Sequence, residues 1–281
     1  MATTGASGLG LVLGGGGVAG VAWHTGLLLG LADGGLDLTV ARRIVGTSAG
    51  STVAAQVGGG ATLDDLYARQ IDPASGATEL TPELSIADLW ERMAPIYTDS
   101  VDDEDRRRRL GRLALEADTV PESLRRQVIA ARLDGLDWVG DRVLVVAVEA
   151  STGARRVFDR ASGVDLVDAV TASCAVPGVW PTVSIEGSRY LDGGIWSMTN
   201  ADLAVGCDRV VVLAPFTDEA MRTELAGLGA GVRSVVVTPD DASLGAFGTD
   251  VLDPAVRGPS ARAGRIQGLA EAERIAAVVA D

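Results

Sequence analysis

A serine flanked by small residues stands at Gly46-Thr47-Ser48-Ala49-Gly50, after the short apolar run 43 to 45. This G-x-S-x-G spacing is that of a sharp strand-to-helix turn that presents a nucleophilic hydroxyl. Glycine on both sides suits such a bend because a Cβ there would clash, and the start of the next helix favours developing negative charge. The same residues also read as a glycine-rich turn with a serine N-cap. A serine nucleophile needs a base, usually histidine. The chain has one histidine, His24, which lies upstream among Trp23, Leu27 and Leu28 and reads as a packed helix residue. The late-loop histidine of the common triad is therefore missing, which leaves carboxylates. Asp192 is singled out by its setting: it ends a hairpin strand, precedes Gly193-Gly194, and lies among Tyr190, Leu191, Ile195 and Trp196. A carboxylate held against apolar groups has a raised pKa and is a better base. Asp-Gly-Gly is equally an ordinary turn sequence.

The loop 13 to 20 (LGGGGVAG) follows an apolar strand and opens a helix. Gly15, Gly17 and Gly20 fit the dinucleotide-binding spacing. That reading falters at the second strand, which ends in GTSAG where an acid for the ribose belongs; Asp37 lies before that strand. Bare glycine N–H groups at Gly15, Gly16 and Gly17 serve better as an oxyanion hole, where each donor is worth about 10²–10³ in rate.

The elements around these residues alternate. Strands are expected at 9 to 13, 43 to 45, 142 to 150, 156 to 158, 183 to 185, 189 to 191, 209 to 214 and 232 to 238. Helices are expected near 18 to 32, 51 to 57, 164 to 174, 218 to 228 and 255 to 279, with another beginning at Asn200-Ala201-Asp202. This rhythm predicts an α/β fold: three layers, α/β/α, around a mostly parallel central sheet. Residues 61 to 140 are charged, helical and broken by Pro73, Pro82, Pro95 and Pro121, which predicts an inserted helical cap. One domain over 1 to 281 is expected, with its core at 8 to 60 and 141 to 281. In the cap, 102 to 109 reads DDEDRRRR, so each acid meets an arginine four residues on, the favourable order on a solvated helix. A basic patch for lipid headgroups is the other use of those arginines. Leu89, Trp90, Met93, Ile96 and Tyr97 form an apolar set in the cap, the expected walls of a groove.

With 47% hydrophobic and 22% charged residues, the chain is a folded globule. Its net charge of −14 disfavours nucleic acid as a partner and simple electrostatic docking on an anionic membrane. All 24 basic residues are arginine. Two cysteines, Cys174 and Cys207, and one histidine make neither a disulfide framework nor a zinc cluster, so no metal or cofactor is expected. The run 9 to 32 is long and apolar, but eight of its residues are glycine and no arginine precedes it. It reads as strand, turn and buried helix rather than a span or signal, which implies a cytoplasmic protein.

Taken together, GGGVAG at 15 to 20, GTSAG at 46 to 50 and Asp192-Gly193-Gly194 resemble the patatin-like phospholipase family. The segment 171 to 183 and the Asn200-Ala201-Asp202 start are similar too. The resemblance implies a lipid acyl hydrolase with a Ser48–Asp192 dyad, an oxyanion hole in the glycine loop, and supporting roles for Gly20, Gly46, Gly50, Gly193 and Gly194. It implies lipid or acyl-ester substrates, no cofactor, and transient contact with a membrane or micelle surface. Many members carry arginine in the glycine loop; the matching residue here is Ala19. A soluble esterase or thioesterase on the same scaffold is the alternative, and a lipid- or nucleotide-binding protein without turnover a further one.

Overall fold

The computed structural model describes residues 8–72, 79–82, 84 and 86–280; Pro73 and the ends of the expected domain lie outside them. Eight strands among these residues form one sheet: β1 (Leu9–Leu13), β2 (Arg43–Thr47), β3 (Val143–Glu149), β4 (Arg155–Phe158), β5 (Val183–Ile185), β6 (Ser188–Asp192), β7 (Arg209–Leu213) and β8 (Arg233–Val237). The order β3-β2-β1-β7-β8 is parallel throughout, and β4, β5 and β6 add antiparallel pairings at the β3 end. The central strands are apolar on both faces, as a sheet covered on both sides requires.

The described helices are α1 (Gly17–Asp33), α2 (Ala49–Gly58), α3 (Leu63–Ile71), α4 (Ile86–Asp99), α5 (Asp103–Glu116), α6 (Glu122–Leu133), α7 (Leu166–Ser173), α8 (Glu219–Gly227), α9 (Asp241–Phe247) and α10 (Arg257–Val279). One face of the sheet, with Leu11, Ile44, Val145 and Val211, packs on α1, α2, α7 and α10. The other, with Val12, Val45, Val146 and Val212, packs on α8 and on residues 201 and 204. The period of two along each strand thus divides a continuous apolar run into two cores, giving the expected three layers. Acidic residues cap many helices: Asp102, Asp165, Asp218 and Asp240 each accept a first-turn backbone N–H.

Three local expectations change. No full helix starts at Asn200; a single 3-10 turn covers Ala201–Ala204 and ends where Val205 leaves helical backbone at ψ 134°. α9 lies in a stretch the periodicity left unassigned. On α5, Glu104–Arg108 and Asp105–Arg109 pair as expected, but Asp102 is the N-cap and Asp103 pairs with Arg106. Arg107 turns inward instead, donating to the Gly153 carbonyl and stacking on Trp196 at 4.2 Å.

The glycine-rich run 9 to 32 has a packing explanation. α1 and α10 touch backbone to backbone: a Cβ on Gly30 would stand 2.0 Å from the Arg265 carbonyl oxygen, and one on Gly268 2.2 Å from that of Leu27. No helix among the described residues is long and apolar enough to cross a membrane. We expect Gly30→Ala to force the two helices apart and lower stability by at least about 3 kcal/mol. Gly245→Ala, in an exposed helix interior with nothing within 4 Å, should raise it by about 0.5–1 kcal/mol. Thermal or urea unfolding of the two variants measures both.

Candidate active site

β4 pairs with residues 145 to 148 of β3, overlapping the spans of both β2 (143 to 146) and β6 (147 to 149). β2 and β6 must therefore share the opposite edge of β3, end to end. Thr47 pairs with Val146, and Asp192 pairs with the next residue, Ala147. One step along β3 separates the last residue of the serine strand from the last residue of the aspartate strand. Across 144 positions of sequence, the Ser48 hydroxyl donates to Asp192 Oδ2 at 2.7 Å.

Ser48 takes φ 53° and ψ −117° at the start of α2. A non-glycine residue in that region carries about 1–3 kcal/mol of strain, which the surroundings must hold. Its N–H donates to the Ser173 hydroxyl at 2.9 Å, and its carbonyl accepts from Ser51 Oγ at 2.6 Å and Cys174 Sγ at 3.2 Å. Gly50 lets the bend press on the sheet: a Cβ there would meet the Leu13 carbonyl oxygen at 1.9 Å. Gly46 backs against Ser51 and Gly193 against the Val146 carbonyl, so both motifs sit flush on neighbouring backbone.

Asp192 is buried. Its Oδ1 accepts from the Gly194 N–H at 2.8 Å, and its backbone N–H donates to the Ala175 carbonyl. Burial pushes its pKa from 3.8 up to about 6, against the opposing pull of the Ser48 hydroxyl, the Gly194 N–H and the Arg125 charge. Asn200 ties the two motifs together: its Nδ2 donates to Thr47 Oγ1 at 3.1 Å and to the Ser197 carbonyl at 2.8 Å. The Glu224 carboxylate gathers Ser197 Oγ and the Ala201 N–H below it. Asn200 enters the sequence reading only as the start of Asn200-Ala201-Asp202 and Glu224 not at all, because their partners lie on other elements.

The glycine loop lies against the serine: a Cβ on Gly15 would be 3.5 Å from Ser48 Cβ, and one on Gly20 3.2 Å from Ala49 Cβ. The Gly50 N–H donates to the Gly14 carbonyl. Gly15 donates its own N–H to the Met198 carbonyl at 2.9 Å, so it is already committed. Gly16 and Gly17 open α1, where N–H groups have no intrahelical acceptor, and no acceptor faces them among the described residues.

His24 is elsewhere in the chemistry. It is fully buried, its Nε2 lies 3.2 Å from the Leu213 carbonyl oxygen, and burial pulls its pKa down to about 4. It bonds to neither Ser48 nor Asp192 among the described residues. The expected groove wall divides. Leu89 and Met93 are buried with Leu110, Val179, Trp180 and Leu252, with Ile96 packed against them. Trp90 and Tyr97 face outward, their rings 5.8 Å apart. Ser48 opens on a void of about 20 Å³, lined among others by Val176, Trp180, Leu252, Arg125, Arg132 and Glu79. That is room for a water molecule rather than an acyl chain.

The family model described as patatin-like phospholipase matches residues 11–205, a span that holds the glycine loop, Ser48 and Asp192. The chain belongs to the patatin-like phospholipase family. Among solved structures, this patatin-like chain is similar to VipD from Legionella pneumophila, at 12% identity and a TM-score of 0.47 over 95% of this chain and 67% of that one. It is also similar to the type III effector protein ExoU, at 14% identity and a TM-score of 0.39, covering 95% of this chain and 53% of ExoU. No curated protein matches it in sequence.

The raised Asp192 pKa has a consequence for stability. The fold favours the protonated carboxyl, so ionising it is unfavourable above about pH 6; the effect fades as pH falls through 6 and is gone below 3.8. Asp192→Asn should therefore be more stable than the native chain at pH 8, by on the order of 2 kcal/mol, and indistinguishable from it near pH 4. Urea midpoints at the two pH values test this; an equal difference at both would exclude it.

Proposed function

We propose that this chain hydrolyses acyl ester bonds of lipids, with Ser48 as nucleophile and Asp192 as its base. The observation that carries the reading is the 2.7 Å bond from the Ser48 hydroxyl to a buried carboxylate whose pKa lies near 6. At pH 7 that carboxylate is ionised yet poorly solvated, the state in which it best accepts a proton.

As Asp192 takes the hydroxyl proton, Ser48 Oγ bonds to the acyl carbonyl carbon and the carbonyl oxygen becomes an oxyanion. The free N–H groups of Gly16 and Gly17, at the positive end of α1, receive that charge. Collapse breaks the bond to the leaving alcohol, which takes the proton from Asp192. A water then attacks the acyl-serine, with Asp192 again as base, and releases the fatty acid. The void at Ser48, about 20 Å³, requires lining side chains to move before a substrate enters. Contact with a lipid surface falls to α4, where Trp90 and Tyr97 are exposed.

Ser48→Ala and Asp192→Asn should each lower p-nitrophenyl ester hydrolysis by at least about 10³-fold and abolish fluorophosphonate labelling at residue 48. His24→Gln should retain most turnover. For the native chain, kcat/KM on an uncharged ester should rise about tenfold per pH unit up to about pH 6 and then level. A folded His24→Gln variant without turnover would refute the dyad. Parallel assays on phospholipids, short-chain esters and acyl thioesters assign the leaving group.

A further inference from the structure

Three arginines converge beside Ser48 on one carboxylate. The side chain of Glu79 is 5% exposed. Its Oε1 accepts from Arg132 Nε at 2.8 Å and from Arg257 Nη2 at 2.9 Å, and its Oε2 accepts from Arg132 Nη2. The guanidinium charges hold the Glu79 pKa below its ordinary value although burial alone would raise it. Arg125 is different. Its side chain is 4% exposed and its guanidinium carbon lies over the Trp180 ring at 4.0 Å. Its Nη1 comes within 4.0 Å of Glu79 Oε2 without hydrogen bonding, and neither Nη1 nor Nε has a hydrogen-bond partner among the described residues.

Arg132 and Arg257 are hydrogen-bonded to Glu79, and the Arg125 charge is felt by Asp192, so Arg125 is the guanidinium of the cluster whose Nε and Nη1 donors stay open. Burying a guanidinium with open donors is costly, and a purely structural cluster would be expected to satisfy them. Arg125, Arg132 and Glu79 line the same void as Ser48. A fork of N–H donors stacked on an aromatic ring recognises the oxygens of a phosphate. We propose that Arg125, backed by Arg132 and Arg257, is a subsite for the phosphate of an acyl-ester substrate, and that Glu79 occupies the cluster as an internal anion until substrate arrives. This rests on the hydrolase reading above for the ester, but not for the anion.

The test separates the two. In a Ser48→Ala background, where no turnover occurs, inorganic phosphate is compared with chloride at equal ionic strength by thermal unfolding. Removing the internal anion with Glu79→Gln should let phosphate raise Tm by about 5 °C, against about 1 °C or less with Glu79 present. Adding Arg125→Gln should erase that gain. With Ser48 intact, kcat/KM is measured for hexanoyl glycerol phosphate and hexanoyl glycerol, which differ by the phosphate alone. The native chain should prefer the phosphate ester by about tenfold or more, and Arg125→Gln should bring the ratio near one. If Glu79→Gln does not fold, the substrate ratio in Arg125→Gln alone decides. An unchanged ratio overturns the subsite, and so does phosphate binding without substrate preference, which would mark a free-anion site. Loss of the hydrolase reading would appear instead as turnover that survives Ser48→Ala.

Discussion

The site depends on keeping a carboxylate charged where water is excluded. Asp192 is 5% exposed and its pKa stands near 6, so the fold bears an unfavourable ionisation at neutral pH. What offsets it is local: the Ser48 hydroxyl, the Gly194 N–H and the charge of Arg125. The geometry comes from strand register. Because β2 and β6 meet on one edge of β3, Ser48 and Asp192 arrive at the same point from opposite directions. A slip of β6 by one residue would turn Asp192 to the other face and break the contact. The Glu186-Gly187 turn, both residues at positive φ, sets the register of β6 on β5, as two-residue hairpins do.

The remote packing serves the same end. α1 carries the glycine loop at its start, and its other turns are locked against α10 through glycine contacts with no room for a methyl group. That close approach fixes the start of α1, where the side chains of Met198, Pro215 and Leu252 pack on the glycine loop. Opposite, the Glu224 and Asn200 bonds hold residues 193 to 201 against Thr47. The strained Ser48 backbone persists because Ser51, Ser173 and Cys174 occupy its polar atoms.

The sheet and the elbow were legible in the sequence because both are local. Apolar runs bounded by glycine mark buried strands, and G-x-S-x-G names its own backbone. Asp192 could be picked out by what surrounds it in sequence. Longer-range facts were not legible. That the Gly15 N–H belongs to Met198 follows from a contact across 183 positions, which no spacing reveals. The period of α4 groups Leu89, Trp90, Met93, Ile96 and Tyr97 on one apolar set, yet α5 and Trp180 cover only part of it. The i,i+4 rule named four ion pairs on α5, but the N-cap and the pull of Trp196 on Arg107 displaced two. Glu79 looks like any loop acid until α6 and α10 bring three arginines to it.

The glycine loop shows how one position's loss can be met by another element. Ala19, where many family members carry arginine, is fully buried, and its N–H is tied to the Val251 carbonyl. A guanidinium at that position would start from a fully buried Cβ. The positive charge at the pocket comes from the other side, on α6, where Arg125 and Arg132 stand seven residues apart, two helical turns, and so face the same way. An arginine on a packed helix and braced by Trp180 is held more rigidly than one on a loop. Its field reaches Asp192 as well, favouring the ionised form of that carboxyl. On the proposed reading one side chain couples the anion subsite to the Ser48–Asp192 pair: whatever neutralises Arg125 also weakens the force that keeps Asp192 charged, so an anionic group settling there would raise the Asp192 pKa.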